Sequence, residues 1–384
     1  MNSSDISFPN LGIYLKNVPS RFSLFGKFDI AMYGITFAIG VVLGIMVASK
    51  LCKEEGQDED TFWSFALAEV FFSLVGARVY YIAFSWWRFK TPFIEGKIWE
   101  GIVGLINLRR GGIAIYGAVI AAFIVLFIFC KKKKVNPFIF GDIAIPGLIL
   151  GQAIGRWGNF FNREVFGEYT DSLFAMRIPI SEYVRAEDIS ALQSQMMLEA
   201  QKTDMTVNYI QAHPTFLYES VWNLGVFALL MLFRKHKKFN GELCLLYFAG
   251  YGIGRFWIEG IRTDQLKIPG TSIPVSQVVA IVLILIAVVG EILARVAIKN
   301  NKLPAFLKVR SAEEKAADIE KAKKEAEEKK AKKEAKRERV EYVIEASEPD
   351  YDDESEDKNT KTKNDKSKDS ESEASKDETS ESEE

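Results

Sequence analysis

The chain has 384 residues, is 48% hydrophobic and sets 49 basic against 51 acidic side chains, a formal net charge of -2. These averages blend two unlike stretches: residues 29–298 hold most of the apolar content, while residues 304–384 are largely Lys, Glu, Asp, Ser and Ala. The blend excludes one uniform soluble domain, and the composition break near Pro304 marks the boundary between its parts.

The first 28 residues are mixed rather than basic followed by apolar, so they are expected to form an extracytoplasmic arm and not a cleaved signal peptide. A membrane-crossing helix needs roughly 20 mostly apolar residues. Seven segments qualify: about 29–51, 63–87, 112–130, 137–158, 214–233, 241–261 and 274–298. The second and sixth are the least uniform, because Glu69, Arg78, Arg255 and Glu259 lie inside them. The expected fold is an all-α polytopic membrane protein with seven transmembrane helices, comprising residues 29–303.

Orientation follows from Lys and Arg in the short connections. Lys131 to Lys134 follow the third segment, Arg234, Lys235, Lys237 and Lys238 the fifth, and Arg295, Lys299, Lys302, Lys308 and Arg310 the end of the seventh. All three groups fall on one side, which is then cytoplasmic. The N-terminus and the long 159–213 loop are outside, and the C-terminus is inside. Arg109 and Arg110 dissent mildly. Cys52, Cys130 and Cys244 fall at cytoplasmic helix ends, which argues against disulfides, and no His or Cys cluster suggests a metal.

Within the loop, residues 181–203 carry a loose amphipathic helical pattern. The tail is 304–384; from about 311 to 345 it alternates Glu and Lys blocks with Ala, as a solvated helix does. From Ser347 it is acidic and Ser-rich, which predicts disorder.

Ionisable groups inside spanning helices are costly and mark functional sites by default. On the predicted topology they gather at the outward helix ends: Arg156 in the fourth helix, Tyr251, Arg255, Glu259 and Arg262 in the sixth, Tyr33 and Tyr116 in the first and third, and His213, Tyr218 and Glu219 at the start of the fifth. Spacings of four, four and three put Tyr251, Arg255, Glu259 and Arg262 on one helix face. An Arg255–Glu259 pair that merely holds helices together is the bland alternative, but Arg156 adds a cation without an obvious nearby acid. Asn159 and Asn162, in the stretch from Gly155 to Gly167, suit a turn that leaves the membrane. Arginines at this depth suit bidentate contact with phosphate, which points to an anionic lipid headgroup.

With these residues in hand, the chain resembles the bacterial prolipoprotein diacylglyceryl transferase family over roughly residues 8–298. Gly155 to Gly167 is similar to the family signature G-R-x-G-N-F-x-N-x-E-x-x-G. Supporting matches are Tyr33-Gly34, Gly76-Ala77-Arg78, Gly111 to Gly117, His213-Pro214-Thr215 with Leu217-Tyr218-Glu219, and Tyr251 to Arg262. The resemblance implies transfer of a diacylglyceryl group from phosphatidylglycerol to the lipobox cysteine of a secreted prolipoprotein, with a thioether formed and glycerol 1-phosphate released. It implies a multi-pass protein of the bacterial plasma membrane, with its site facing the outer leaflet and no metal, cofactor or nucleic-acid partner. Arg156 and Arg255 take the places of the family's essential arginines. Tyr33 and Tyr116 join them as catalytic candidates, and Asn159, Glu164, Gly167, Glu219, Tyr251 and Glu259 are substrate-binding candidates.

One departure is chemical. Many relatives carry His where Tyr116 stands, and Tyr, with a pKa of about 10, is a poor base at neutral pH. Tyr116 is then expected to orient substrate, with the thiol proton leaving through a glutamate, the phosphate or water. A transporter of the same lipids would place polar residues through the full depth or show paired halves.

Overall fold

The computed structural model describes residues 3–24, 28–107, 111–179, 209–311 and 313–321, with scattered positions between 324 and 335. The chain divides into one unit of Met1–Ala326 and another of Glu327–Glu384, and every element named here belongs to the first. Arg109, Arg110, the amphipathic pattern at 181–203 and the expected disorder from Ser347 lie outside the described residues.

The molecule is predominantly helical, and six of its helices are long and apolar enough to cross a membrane. They are α1 (Met32–Glu54), α2 (Glu59–Phe84), α5 (Ile115–Lys133), α6 (Pro137–Asn162), α7 (Thr215–Phe233) and α9 (Val275–Lys299). Two short helices, α3 (Lys90–Ile94) and α4 (Ile98–Ile106), join α2 to α5. The other expected span forms α8 (Glu242–Ile261), packed against α6, α7 and α9. Its charged residues keep it below the apolarity of the six. Several starts follow local chemistry. The Asp58 carboxylate accepts from the Thr61 N–H (2.9 Å) to cap α2. Asn136 accepts from Phe138 N–H (2.9 Å) ahead of Pro137, whose fixed φ suits the first turn of α6.

Two glycine pairs bring α1 and α6 into backbone contact. A Cβ on Gly40 would sit 2.8 Å from the Gly151 carbonyl, and one on Gly44 2.5 Å from that of Gly147. Lipid tails supply no hydrophobic drive between helices, so such close packing is what holds this pair together. The exposed faces of α5 and α9 remain rows of Ile, Val, Leu and Phe, including Ile120, Phe123, Ile281, Leu285 and Val289. That is the surface a multi-pass membrane protein turns toward lipid.

The all-α expectation needs one correction. A four-stranded antiparallel sheet of order β2-β1-β5-β6 joins β1 (Ser3–Phe8) and β2 (Ile13–Pro19) to β5 (Met176–Pro179) and β6 (Tyr209–Ala212). A separate hairpin pairs β3 (Arg21–Leu24) with β4 (Phe28–Ala31) and leads directly into α1. Ile6, Phe8, Val18, Met176, Ile178 and Ile210 pack on Phe160 of α6 and Phe216 of α7. The sheet thus roofs the end of the bundle that carries Arg156. Its strands are of four to seven residues, and the pairing that joins its two halves, Ser7 with Arg177, spans more than 160 positions, which local sequence pattern does not report.

At the opposite end, Asp142 is buried and accepts from Lys237 Nζ (3.3 Å) and Gly241 N–H (2.9 Å). Glu55 lies 3.6 Å from Lys237 and 2.8 Å from Lys315. Burial alone would raise the Glu55 pKa, but Lys237, Lys315 and Arg310 together hold it below the usual carboxylate range. The chain beyond α9 is fastened here. Phe306 stacks on Phe138 (5.6 Å), Asn240 bonds the carbonyls of Leu307 and Lys308 (2.8 Å each), and Arg310 donates to the Glu55 carbonyl (2.7 Å). The start of the tail is therefore a docked segment, ahead of the stretch from about 311 whose composition suits a solvated helix.

Candidate active site

The centre of the site is built by α6, whose final turns run into the Gly155–Gly167 stretch. The helix ends at Arg163 in the left-handed region (φ 54°), and Val165 follows at φ 59°. A branched side chain at positive φ is strained and persists only when its surroundings over-determine it. Here the Thr215 hydroxyl donates to the Val165 carbonyl, and Gly167 N–H to that of His213 (2.9 Å). Glu168 N–H donates to the Ile261 carbonyl (2.9 Å). The exit loop of α6 is thereby stitched to the start of α7 and the end of α8. Inside it, Asn159 Nδ2 donates to Glu164 Oε1 (2.9 Å), with Asn162 Nδ2 at 3.4 Å. Glu164 is thus held by the two asparagines of the motif.

Arg156 does have an acid. Its Nε pairs with Glu219, a carboxylate 4% exposed in the first turns of α7. The sequence expectation of an uncompensated cation is corrected, because α6 and α7 pack side by side and bring residues 63 positions apart into contact. Glu219 also accepts from Arg255 Nη1 (3.1 Å). Arg255 Nη2 reaches Glu259 (2.7 Å), an i,i+4 pair on α8. Arg262 Nη1 stands 3.8 Å from Glu219 and 3.6 Å from Glu259, while its other nitrogens grip Asp264 at 2.8–2.9 Å. Three guanidinium groups therefore converge on two buried carboxylates, with Asp264 at the more exposed edge.

A family model described as prolipoprotein diacylglyceryl transferase matches residues 19–293. Two curated relatives, from Finegoldia magna (strain ATCC 29328 / DSM 20472 / WAL 2508) and Staphylococcus aureus (strain Newman), are each 38% identical to the chain, over 272 and 270 residues. The alignments span 71% and 70% of this chain and 93% and 86% of the relatives. Both relatives are named phosphatidylglycerol--prolipoprotein diacylglyceryl transferase. The chain belongs to this family.

The other residues singled out in the sequence take the following places. Tyr33, in the first turn of α1, lies against α6 at Gly158, where a Cβ would sit 2.6 Å from its ring. Arg156 interacts electrostatically with Tyr33, Tyr247 and Tyr251, and Tyr251 stacks on Tyr247 at 5.5 Å. Tyr116, in the first turn of α5, has Arg255, Glu259 and Tyr251 as electrostatic neighbours and its ring 6.4 Å from that of Tyr80. Gly167 pairs with Arg262 in a backbone bridge. His213 Nδ1 lies 3.1 Å from the Tyr218 hydroxyl. Burial pushes the His213 imidazole below its ordinary pKa, against a smaller opposing pull from Glu168.

Sequence reasoning missed Asp264, which holds Arg262, and two uncharged participants. Ser276 Oγ accepts from Arg255 Nη2 (3.2 Å), and Gln265 Nε2 donates to the Glu259 carbonyl (2.6 Å). Both lie beyond α8, and neither residue type announces a site. Among the described residues no group of three or more His, Cys, Asp and Glu is arranged to hold a metal ion.

Proposed function

We propose that the chain transfers the diacylglyceryl group of phosphatidylglycerol to the lipobox cysteine thiol of a secreted prolipoprotein, the first step of lipoprotein modification. The substrates are those that the relatives' names state. The observation that carries the reaction onto these residues is the convergence of Arg156, Arg255 and Arg262 on Glu219 and Glu259. Sulfur attacks the glycerol carbon that bears the phosphate, a C–S bond forms, the C–O bond breaks and glycerol 1-phosphate leaves. The phosphodiester has one negative charge and the departing monoester gains a second, matched by the proton that the thiol gives up. Guanidinium groups already fixed by carboxylates stabilise that charge without reorganising, and do so best where the dielectric is low.

In this reading Arg156 and Arg255 grip the phosphate, and Glu219 and Glu259 hold their planes in place. Asn159, Glu164 and Gly167 shape the exit turn of α6, while Tyr251, Tyr33 and Tyr116 line the substrate. The chain lies in the bacterial plasma membrane with α8 as one of seven spans. Its arm (1–28) and sheet are outside and its tail (304–384) is in the cytoplasm, so residues 29–303 carry the catalysis at outer-leaflet depth. The basic runs at one end of the bundle support that orientation.

The test is the purified full chain in detergent with phosphatidylglycerol and a lipobox peptide, scored by mass. The expected product is the peptide carrying one diacylglyceryl group on its cysteine. No adduct, where a relative forms one under the same conditions, overturns the proposal.

A further inference from the structure

Arg78 lies on α2, 7% exposed, and takes no part in the arginine cluster. Its guanidinium makes five hydrogen bonds, all to backbone carbonyls. Nε donates to Leu105 (2.8 Å), Nη1 to Gly111 (2.7 Å) and Gly112 (2.8 Å), and Nη2 to Gly104 (2.9 Å) and Asn107 (3.1 Å). A guanidinium has five N–H donors, so all are used.

These carbonyls come from two places. Gly104, Leu105 and Asn107 close the last turn of α4, where free carbonyls and the helix dipole favour a cation. Gly111 and Gly112 form the turn before α5, both at positive φ (77° and 85°). One side chain thus joins the end of α4 to the start of α5. A lysine ammonium, with three donors and no fork, cannot reproduce the pattern.

What lies downstream of the clamp is Tyr116. The Ala114 N–H donates to the Ala77 carbonyl (3.1 Å), next to Arg78. Gly76 of α2 also abuts Gly117 of α5, where a Cβ on Gly76 would sit 2.7 Å from the Gly117 carbonyl. Tyr116 therefore enters the site from a backbone pinned to α2 on both sides, and its electrostatic neighbours there are Arg255, Glu259 and Tyr251 of α8. Among the described elements α5 packs mainly on α2, with a smaller contact to α6, so α2 does most to set the position of Tyr116 relative to Arg255.

We propose that Arg78 is a positioning residue for the transfer reaction: by clamping the backbone at Gly104, Leu105 and Asn107 and at Gly111 and Gly112 it sets the place of Tyr116 against the arginine cluster. The inference rests on the proposed reaction. It requires that Arg78 act through Tyr116 and not through general stability.

The test is a double-mutant cycle on the full chain in detergent, with phosphatidylglycerol and a lipobox peptide. Arg78→Gln is expected to lower kcat at least tenfold with KM for the lipid within about twofold, and Arg78→Lys to recover part of the loss. In a Tyr116→Phe background, Arg78→Gln is expected to cost less than twofold more. Losses that multiply, or an unchanged kcat in Arg78→Gln, overturn the proposal. A second arm needs no turnover. The rate at which a thiol reagent labels Tyr116→Cys, read by peptide mass, is expected to change at least threefold on adding Arg78→Gln or Arg78→Lys. An unchanged rate in both overturns the clamp. If the unmodified chain forms no adduct, the reaction reading fails and the labelling arm still decides the role of Arg78.

Discussion

At the scale of single residues, the decisive feature is a carboxylate shared by two arginines. Glu219 contacts both Arg156 and Arg255, so either guanidinium removed leaves the other's geometry supported but the charge for a phosphate reduced. Arg156→Gln and Arg255→Gln are each expected to lower kcat/KM by at least a hundredfold, in the range that loss of a transition-state charge contact costs (about 10²–10³). Detergent-purified variants should still elute as folded protein in size-exclusion chromatography, and near-normal turnover in either variant contradicts its assignment. His213 gives a pH prediction of definite sign. Its folded-state pKa lies below the unfolded value of about 6.5. The unfolded state therefore binds the proton first, and the stabilisation present above that value is lost as pH falls through the lower, folded one. Melting in detergent at pH 7.5 and 5.5 should show a smaller acid-induced drop for His213→Gln than for the unmodified chain. Arg156, Arg255, Glu219 and Glu259 are legible in sequence because ionisable groups are rare in apolar helices. The Arg255–Glu259 pair is legible too, from its i,i+4 spacing; the Arg156–Glu219 pair is not, since Glu219 meets Arg156 only through the packing of α6 on α7. Nor are Ser276 and the carbonyl partners of Arg78, which carry no compositional signal.

Among the elements, the six apolar helices fall within a few residues of where length and hydropathy put them, and α8 emerges from the i,i+4 face of Tyr251, Arg255 and Glu259. The sheet does not, because its strands are short and the β1–β5 pairing that joins its halves is distant in sequence. The segment after α9 shows the same limit from the other side. Composition predicts a solvated helix from about residue 311, yet Lys315, with Phe306, Leu307 and Arg310 ahead of it, belongs to a segment that contacts the first turn of α6 and two connections between helices. Glu55 and the backbone of Asn240 are partners that no scan of residues 304–321 reveals. A chain ending after residue 321 should melt within about 1 °C of the full-length protein. One ending at residue 303 should melt several degrees lower, since a loss of about 1 kcal/mol shifts the midpoint of a chain this size by a few degrees. Equal melting of the two truncations shows that the docked segment contributes nothing.

At the scale of the whole molecule, roofing strands and arginine cluster occupy one end of the bundle, while the lysine-rich connections and the docked segment occupy the other. Labelling of intact cells with a membrane-impermeant thiol reagent tests the proposed orientation, using single added cysteines at two exposed positions. Tyr14→Cys in β2 is expected to react, and Lys132→Cys, after α5, to react only once the cells are opened. The reverse pattern turns the proposed topology over. The docked segment also bears on the order of synthesis. Arg310 grips the Glu55 carbonyl from 255 positions further along the chain, and the connections it closes over are made long before it. While the ribosome is still producing the later helices, Glu55, Phe138 and Asn240 lack these partners. The fastening closes only after α9 and the segment behind it have been made, so a chain that stops before residue 304 never acquires it.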